Sequence, residues 1–303
     1  IYLLKPQKLK LSDYLLGFGF VLLMVGIATV LNDVEIILPE IAALTTGLWI
    51  YHEPGWLNQP AKIFWLPSIT AIVGFGINRL PLSYAVKISL LLLIMIVLLC
   101  LFRSTLAPSF ATGLLPIIVN ATELSFIIAI LGFTLTLMLV VSLRKLHLQH
   151  PYHATINYRV MLVFLIIALL WVLVVSLLGR PQMAAIPPVL VVFFEILQKP
   201  MYPGKMAIKQ MVALTGAATI GFVAYSLLDS RLLVTLIALP LVWALLYLLQ
   251  VRIPAAYAFP LLAIILPHQM FQSLPLVTLL ATSYFFGAAY LYQQYIKPRL
   301  ISR

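Results

Sequence analysis

Apolar residues fill the chain in runs broken by Pro, Gly or charge, and the runs fall into two sets of six. The first set lies near 14–31, 36–51, 63–79, 82–102, 107–119 and 121–143. The second lies near 160–178, 184–198, 207–228, 231–250, 254–267 and 271–295. Charge is almost absent inside them, and none alternates apolar with polar residues as a barrel strand would. Each run therefore predicts a helix, and most approach the ~20 residues that span a ~30 Å hydrocarbon core. Runs 36–51, 107–119 and their second-set partners are shorter. At ~1.5 Å per residue they reach only about 20–24 Å, a length that suits half-helices, re-entrant hairpins or short helices shielded by neighbours.

The two sets share a spaced pattern. Pro39, Pro54 and Gly55 recur as Pro188, Pro203 and Gly204 at a spacing of 149, while Lys62, Gly74 and Phe75 recur as Lys209, Gly221 and Phe222 at 147. Leu98, Leu99 and Leu101 meet Leu245, Leu246 and Leu248 at the same 147. This predicts an internal duplication: a first membrane repeat over 1–143, a cytoplasmic linker over 144–159 and a second membrane repeat over 160–303. An even number of segments per half gives both repeats one orientation, related by a pseudo-twofold axis along the membrane normal.

Composition fixes the class. With 63% apolar and 9% charged residues and a mean hydropathy of +1.11, the chain reads as an all-α polytopic membrane protein. The net charge of +11 does not call for nucleic acid, because the basic residues sit in short clusters beside apolar runs. They serve instead as topology signals. A cytoplasmic N-terminus leaves only Arg79, Lys87, Arg180 and Arg231 of the 19 Lys and Arg residues outside. A multi-pass protein of the cell inner membrane with both termini cytoplasmic follows. Re-entry of 36–51 would move Lys199, Lys205 and Lys209 outside and spoil the bias, which favours a crossing. Lys5, Lys8 and Lys10 precede the first run with no small-residue cleavage site, so that run is expected to remain in the mature protein. The single cysteine, Cys100, excludes an intrachain disulfide and a cysteine metal cluster within this sequence.

Candidate chemistry is sparse. There is no His-Glu-x-x-His, no Gly-x-Ser-x-Gly and no phosphate-binding Gly-rich loop, so neither an enzyme nor a cofactor is expected. His147, His150 and His153 in the linker could share a helical face, but Pro151 lies among them and no carboxylate is near, which argues for a polar connector over a metal site. His52 and Glu53 read as solvent-facing loop residues. Glu195 falls inside an apolar run and aligns with Thr46; it is either a charge beside a substrate path or a local partner of a lysine near the inner interface. Glu40 follows Pro39 in the first turn of its short helix, where free N–H groups stabilise a carboxylate by ~0.3–1 kcal/mol. Such ends of short helices also hold anions or protonatable groups. Lys62 and Lys209 either snorkel to lipid phosphates or ring a cytoplasmic vestibule that attracts anions. Ser68, Thr70, Thr215 and Thr219, with Thr112 and Asn120 on a short run, either line a path or bond their own helices. Gly74 and Gly221, with Gly76 and Gly216, are expected to admit close helix crossings.

The run Pro54-Gly-Trp-Leu-Asn-Gln-Pro60, then Ala71-Ile-Val-Gly74, then Arg103 to Leu115 resembles the HPP family of integral membrane proteins. Pro108 keeps that family's short-helix start, while Ala107 and Ser109 stand where its pattern has His and a second Pro. The stretch Gln198 to Phe222 is similar to the Pro-Gly, basic, Gly-rich hairpin of the fusaric-acid-resistance and aromatic-acid-exporter group. Some HPP members are associated with nitrite transport and the second group moves organic anions, so both resemblances imply an anionic solute. The expected function is a transporter or channel for a small anion, inorganic such as nitrite or a small organic acid, with its site between the repeats. Lipid bilayer and solute are its partners, and homo-oligomerisation is left open. The alternative is a non-transporting membrane scaffold or subunit of a larger complex.

Overall fold

The structure, a computed structural model, describes residues 11–149 and 157–297. The long α1 (Leu11–Val30) leads to the short α2 (Pro39–Thr45, continued as a π-turn over Thr46–Ile50), the single turn α3 (Pro54–Leu57) and the long α4 (Pro60–Asn78) and α5 (Tyr84–Leu101). The short α6 (Pro108–Ile118), the long α7 (Leu124–Leu143) and the single turn α8 (Leu146–Gln149) complete the first stretch. The second holds α9 (Tyr158–Leu177), the short α10 (Pro187–Gln198), α11 (Gly204–Leu227) and α12 (Arg231–Leu249). It closes with the short α13 (Ala258–Ile265), entered through a 3-10 turn at Pro254–Tyr257, and α14 (His268–Leu291). No strand occurs among the described residues. Eight of these helices are long and apolar enough to cross a membrane.

Punctuation residues explain the boundaries. Proline opens α2, α3, α4, α6, α10 and the 3-10 turn, where its missing donor costs nothing and its fixed φ suits a first turn. Left-handed residues close the long helices: Asn32 after α1, Gly179 after α9, Arg103 after α5 and Gln250 after α12. The same two backbone bonds seal each end, as in Asp33 N–H to Ala28 O (2.9 Å) and Arg180 N–H to Val175 O (2.8 Å).

Loops gather on two faces. On one, the Glu35 carboxylate accepts from Thr122 N (2.9 Å) and Glu123 N (3.0 Å), and Asn78 Nδ2 donates to Asn120 Oδ1 (3.2 Å). On the other, Lys62 meets the carbonyl of Arg103, and Lys297 Nζ donates to Lys199 O (2.8 Å). With Pro181, Gln182 and His268 beside Asn78 and Asn120, and Lys199 and Arg252 near Glu53, these ties place the two ends of each described short segment on opposite faces, so each carries the chain across the molecule. Leu38, Ile186 and Ile253, just before three of the short helices, are extended, which supplies the reach that the short helix lacks.

The short helices form the interior. Residues 36–51 and all of α6 are buried, as is α10 apart from Glu195 and Gln198. α2 packs on α13 and its 3-10 turn, and α6 packs on α10. Around them α4 lies on α6 and α7, α11 lies on α13 and α14, α5 meets α9, and α1 meets α12. The long helices turn large apolar side chains outward, among them Leu15, Leu101, Leu143 and Leu177, as a lipid environment requires. A helix enclosed by protein need not match the bilayer thickness, and extended backbone is tolerated at that depth because protein covers it.

Two crossings are tight enough to need glycine. A Cβ on Gly74 would fall 1.9 Å from Gly113 O, and one on Gly221 would fall 2.9 Å from Pro260 Cα. The expectation for Gly76 is corrected: it faces open space, with nothing within 4 Å of its Cβ position, so no helix approaches there. Gly216 meets only the Leu245 side chain. In the linker, His147 lies on α8, while His150 and His153, like Lys5, Lys8, Lys10, Arg299 and Arg303, lie outside the described residues.

Candidate functional site

The first turns of the short helices meet. Pro39, Glu40 and Ala43 of α2, Pro108 and Ala111 of α6, Pro187, Pro188 and Val191 of α10, and Ala255 of the 3-10 turn enclose a cavity of about 10 Å³, room for about one water. The first turn of a helix carries the positive end of the dipole; here its N–H groups are absent at proline or taken, with Ile41 N donating to Leu38 O (3.0 Å), Phe110 N to Ala107 O (3.0 Å) and Val189 N to Ile186 O (3.0 Å). Glu40 is the single ionisable residue in this wall. It is 1% exposed, and its Oε1 has no hydrogen-bond partner. Ser109, beside Pro108, is likewise buried with its hydroxyl unpartnered.

The cavity is the inner member of a series. It shares Pro187 and Leu262 with a second of about 20 Å³. That one shares Ile118, Gln182 and Met270 with an open basin of about 610 Å³ on the Glu35 face. Asn78, Lys87, Asn120, Gln182 and His268 line the basin.

Toward the opposite face, the seam between α2 and the 3-10 turn is closed by Tyr51 and Tyr257, whose hydroxyls lie 2.9 Å apart. Phe18 of α1 leans on Tyr257 at 5.7 Å, and Tyr14 sits on Trp243 of α12 at 6.0 Å. The seam where α6 meets α9 and α10 is filled instead by phenylalanine: Phe110 lies 4.8 Å from Phe164 and 5.0 Å from Phe194. One seam thus carries hydroxyls and the other none.

The remaining candidates disperse. Lys62 Nζ donates to Phe102 O and to Arg103 O (3.0 Å), capping the carbonyl end of α5. Lys209 is half-buried and has no such carbonyl contact. Thr46 Oγ1 bonds back to Ala42 O (2.8 Å) and Ala43 O (3.0 Å) and reaches Pro254 O at 3.4 Å. Thr70 and Thr112 join α4 to α6 through hydroxyls 2.7 Å apart, and Ser68 lies 3.5 Å from Thr134. Thr215 Oγ1 is buried without a partner. Asn120 holds Asn78 at the rim of the basin. Glu195 stands near the Lys62 face, with Glu53, Lys199 and Trp56 close to its carboxylate.

Glu53 differs from its solvent-facing expectation. It is half-buried, and burial pushes its carboxyl above the ordinary range, while Lys199 and Arg252 pull it back. Tyr51, Tyr257 and Glu53 are the site-side residues that sequence reasoning missed. Tyr51 and Tyr257 are 206 positions apart, and no local pattern joins them. Glu53 did carry a signal, as the acid between a short helix and the Pro-Gly turn.

Eight apolar crossing helices sheathing an enclosed set of short ones define an all-α, multi-pass membrane protein. Comparison with models of protein families, with curated proteins and with solved structures finds no match for this chain.

Proposed function

We propose that the chain is a transporter or channel for a small anion, bound where the first turns of the short helices converge between two parallel repeats. That convergence is the observation that carries the reading. Each helix start contributes the positive end of a helix dipole, equivalent to a partial charge of about +0.5 at most, and together they favour an anion without a resident cation. The cavity of about 10 Å³ holds about one water, so nitrite or a small carboxylate binds there only as the short helices part. Lys87 and His268 at the basin favour anion entry from the Glu35 face.

The two-repeat reading is supported by matched geometry. Gly74 on Gly113 and Gly221 on Pro260 are the same crossing shifted by 147 residues, and so are the left-handed caps Asn32 with Gly179 and Arg103 with Gln250. The packing of α5 on α9 and of α1 on α12 is the interchange that a twofold axis produces. Lys62, Arg103, Arg144, Lys199 and Arg252 lie toward one face, and we assign that face to the cytoplasm, with both termini on it.

Reconstitution into liposomes tests the reading, with nitrite, nitrate, chloride, formate and acetate as probes. Flux above that of protein-free vesicles is expected for at least one of them. Ala111→Leu, which fills the cavity, should cut it by about tenfold or more, the effect of ~1.4 kcal/mol of added barrier, while Thr136→Ala on an exposed face should not. No protein-dependent flux of any probe removes the proposal.

A further inference from the structure

The basin of about 610 Å³ on the Glu35 face has the size of a ligand pocket, within the roughly 300–1,000 Å³ usual for one. Tyr84, Lys87 and Asn120 of its wall come from the first half of the chain, and Gln182, His268 and Gln269 from the second. No aspartate or glutamate lines it. Lys87 is half-buried, and its ammonium donates to the Asn78 carbonyl, a partner that leaves the charge uncompensated. The Tyr84 hydroxyl is buried and has no hydrogen-bond partner. Cation and hydroxyl together leave this wall short of an acceptor.

The first half of the chain shows which acceptor fits. Glu35 is the middle residue of a 3-10 turn at Val34–Ile36, and Gln182, 147 residues on, is the middle residue of a 3-10 turn at Pro181–Met183. The first turn packs on α7 and the second on α14. At α7 the Glu35 carboxylate accepts from Thr122 N (2.9 Å) and Glu123 N (3.0 Å), the two N–H groups that lead into the helix. Their counterparts at the same spacing are Gln269 and Met270. There the neutral amide of Gln182 replaces the carboxylate, and no side chain caps the helix. α14 also begins earlier in this register, at His268 and not at Phe271, and the added turn carries His268 and Gln269 into the basin wall. Met270 N and Phe271 N both donate to Pro267 O (2.9 Å each), which leaves the N–H groups of His268 and Gln269. The chain thus supplies its own carboxylate to one helix start and none to the other.

We propose that the basin binds an organic carboxylate, whose oxygens take the place at the start of α14 that Glu35 fills at α7, with Lys87 as counter-charge. The positive end of the helix and the ammonium act on the same group. Ile117, Ile118, Pro181, Pro267 and Met270 supply an apolar wall for the rest of the molecule. A bare inorganic anion would leave that wall uncovered, and a neutral ligand would leave Lys87 without a counter-charge. The site is separate from the central cavity, and the inference goes beyond the transport reading because it requires binding and not flux.

Equilibrium binding to the full chain in lipid nanodiscs at neutral pH gives the test, with isovalerate, its neutral amide and inorganic phosphate as probes. Isovalerate should bind saturably and at least about tenfold more tightly than either of the others. Lys87→Gln should weaken its binding by about tenfold or more. Gln182→Glu, which puts into the basin the acid that the first half has at Glu35, should weaken it at least as much. Thr136→Ala, on an exposed face elsewhere, should leave it unchanged. Equal binding of isovalerate and its amide, tighter binding of phosphate, or no saturable binding of any probe overturns the proposal, and none of these outcomes depends on a variant. A Gln182→Glu form that binds isovalerate as the wild type does overturns the placement at α14. Failure here leaves the central anion reading standing, and absence of flux with binding intact removes that reading alone.

Discussion

Three residues show how far a side chain's role depends on where the chain brings its partner. Lys62 and Lys209 hold equivalent places in the sequence, yet Lys62 ends on the carbonyls of Phe102 and Arg103, which closes α5. That partner lies about forty residues on, in a left-handed cap, and only the fold supplies it. Glu53 is the opposite case, a residue that looked ordinary and is not. Its carboxyl is raised by burial above its ordinary 4.5, so the folded state disfavours the ionised form. The sign follows: the fold is least burdened below the unfolded value, and a cost grows as pH rises through the folded one. Glu53→Gln should therefore raise thermal stability in detergent at neutral pH, and the gain should vanish in acid. Thermal unfolding of both forms at several pH values checks it; an equal gain at all pH values would mean that packing, and not charge, is responsible.

Among elements, the short helices were legible as segments but not as a core. The apolar run near 107–119 became α6 over Pro108–Ile118, and that near 184–198 became α10 over Pro187–Gln198. Hydropathy marks a run as dry, and a helix wrapped in protein is as dry as one wrapped in lipid. The extended residues that lengthen the crossings, and the π-turn that prolongs α2, leave no periodic trace. Glycine spacing was more informative at Gly74 and Gly221 than at Gly76. Gly74→Ala sets a methyl against the Gly113 carbonyl, where no rotamer change gives relief, and should cost at least the ~1–3 kcal/mol typical of overpacking. Gly76→Ala meets nothing and should be neutral or stabilising by up to ~1 kcal/mol through helix propensity. Denaturation midpoints of the two variants in one detergent give the comparison.

For the molecule as a whole, class and charge asymmetry could be read before any coordinates, whereas the convergence of helix starts could not. Pro39, Pro108, Pro187 and Ala255 are far apart in sequence, and proline at a helix start is as common at surfaces as at a centre. The assignment of faces is open to direct labelling. In a Cys100→Ala background, Asp229→Cys should react with a membrane-impermeant maleimide on intact cells, and Lys145→Cys only after permeabilisation. Both residues are exposed and lie on opposite faces, so the reverse pattern would invert the orientation proposed above.

The enclosure of the short helices also sets an order of assembly. α4 and α5 cover one side of α6, and α11 covers one side of α13, within their own halves, whereas α13 covers α2 and α10 covers the other side of α6 only once the second half is in place. During synthesis, that open side of α6 must wait for more than sixty residues of later chain. Biogenesis of this protein is therefore a late locking step, in which eight helices insert first and the centre closes only when the last of them arrives.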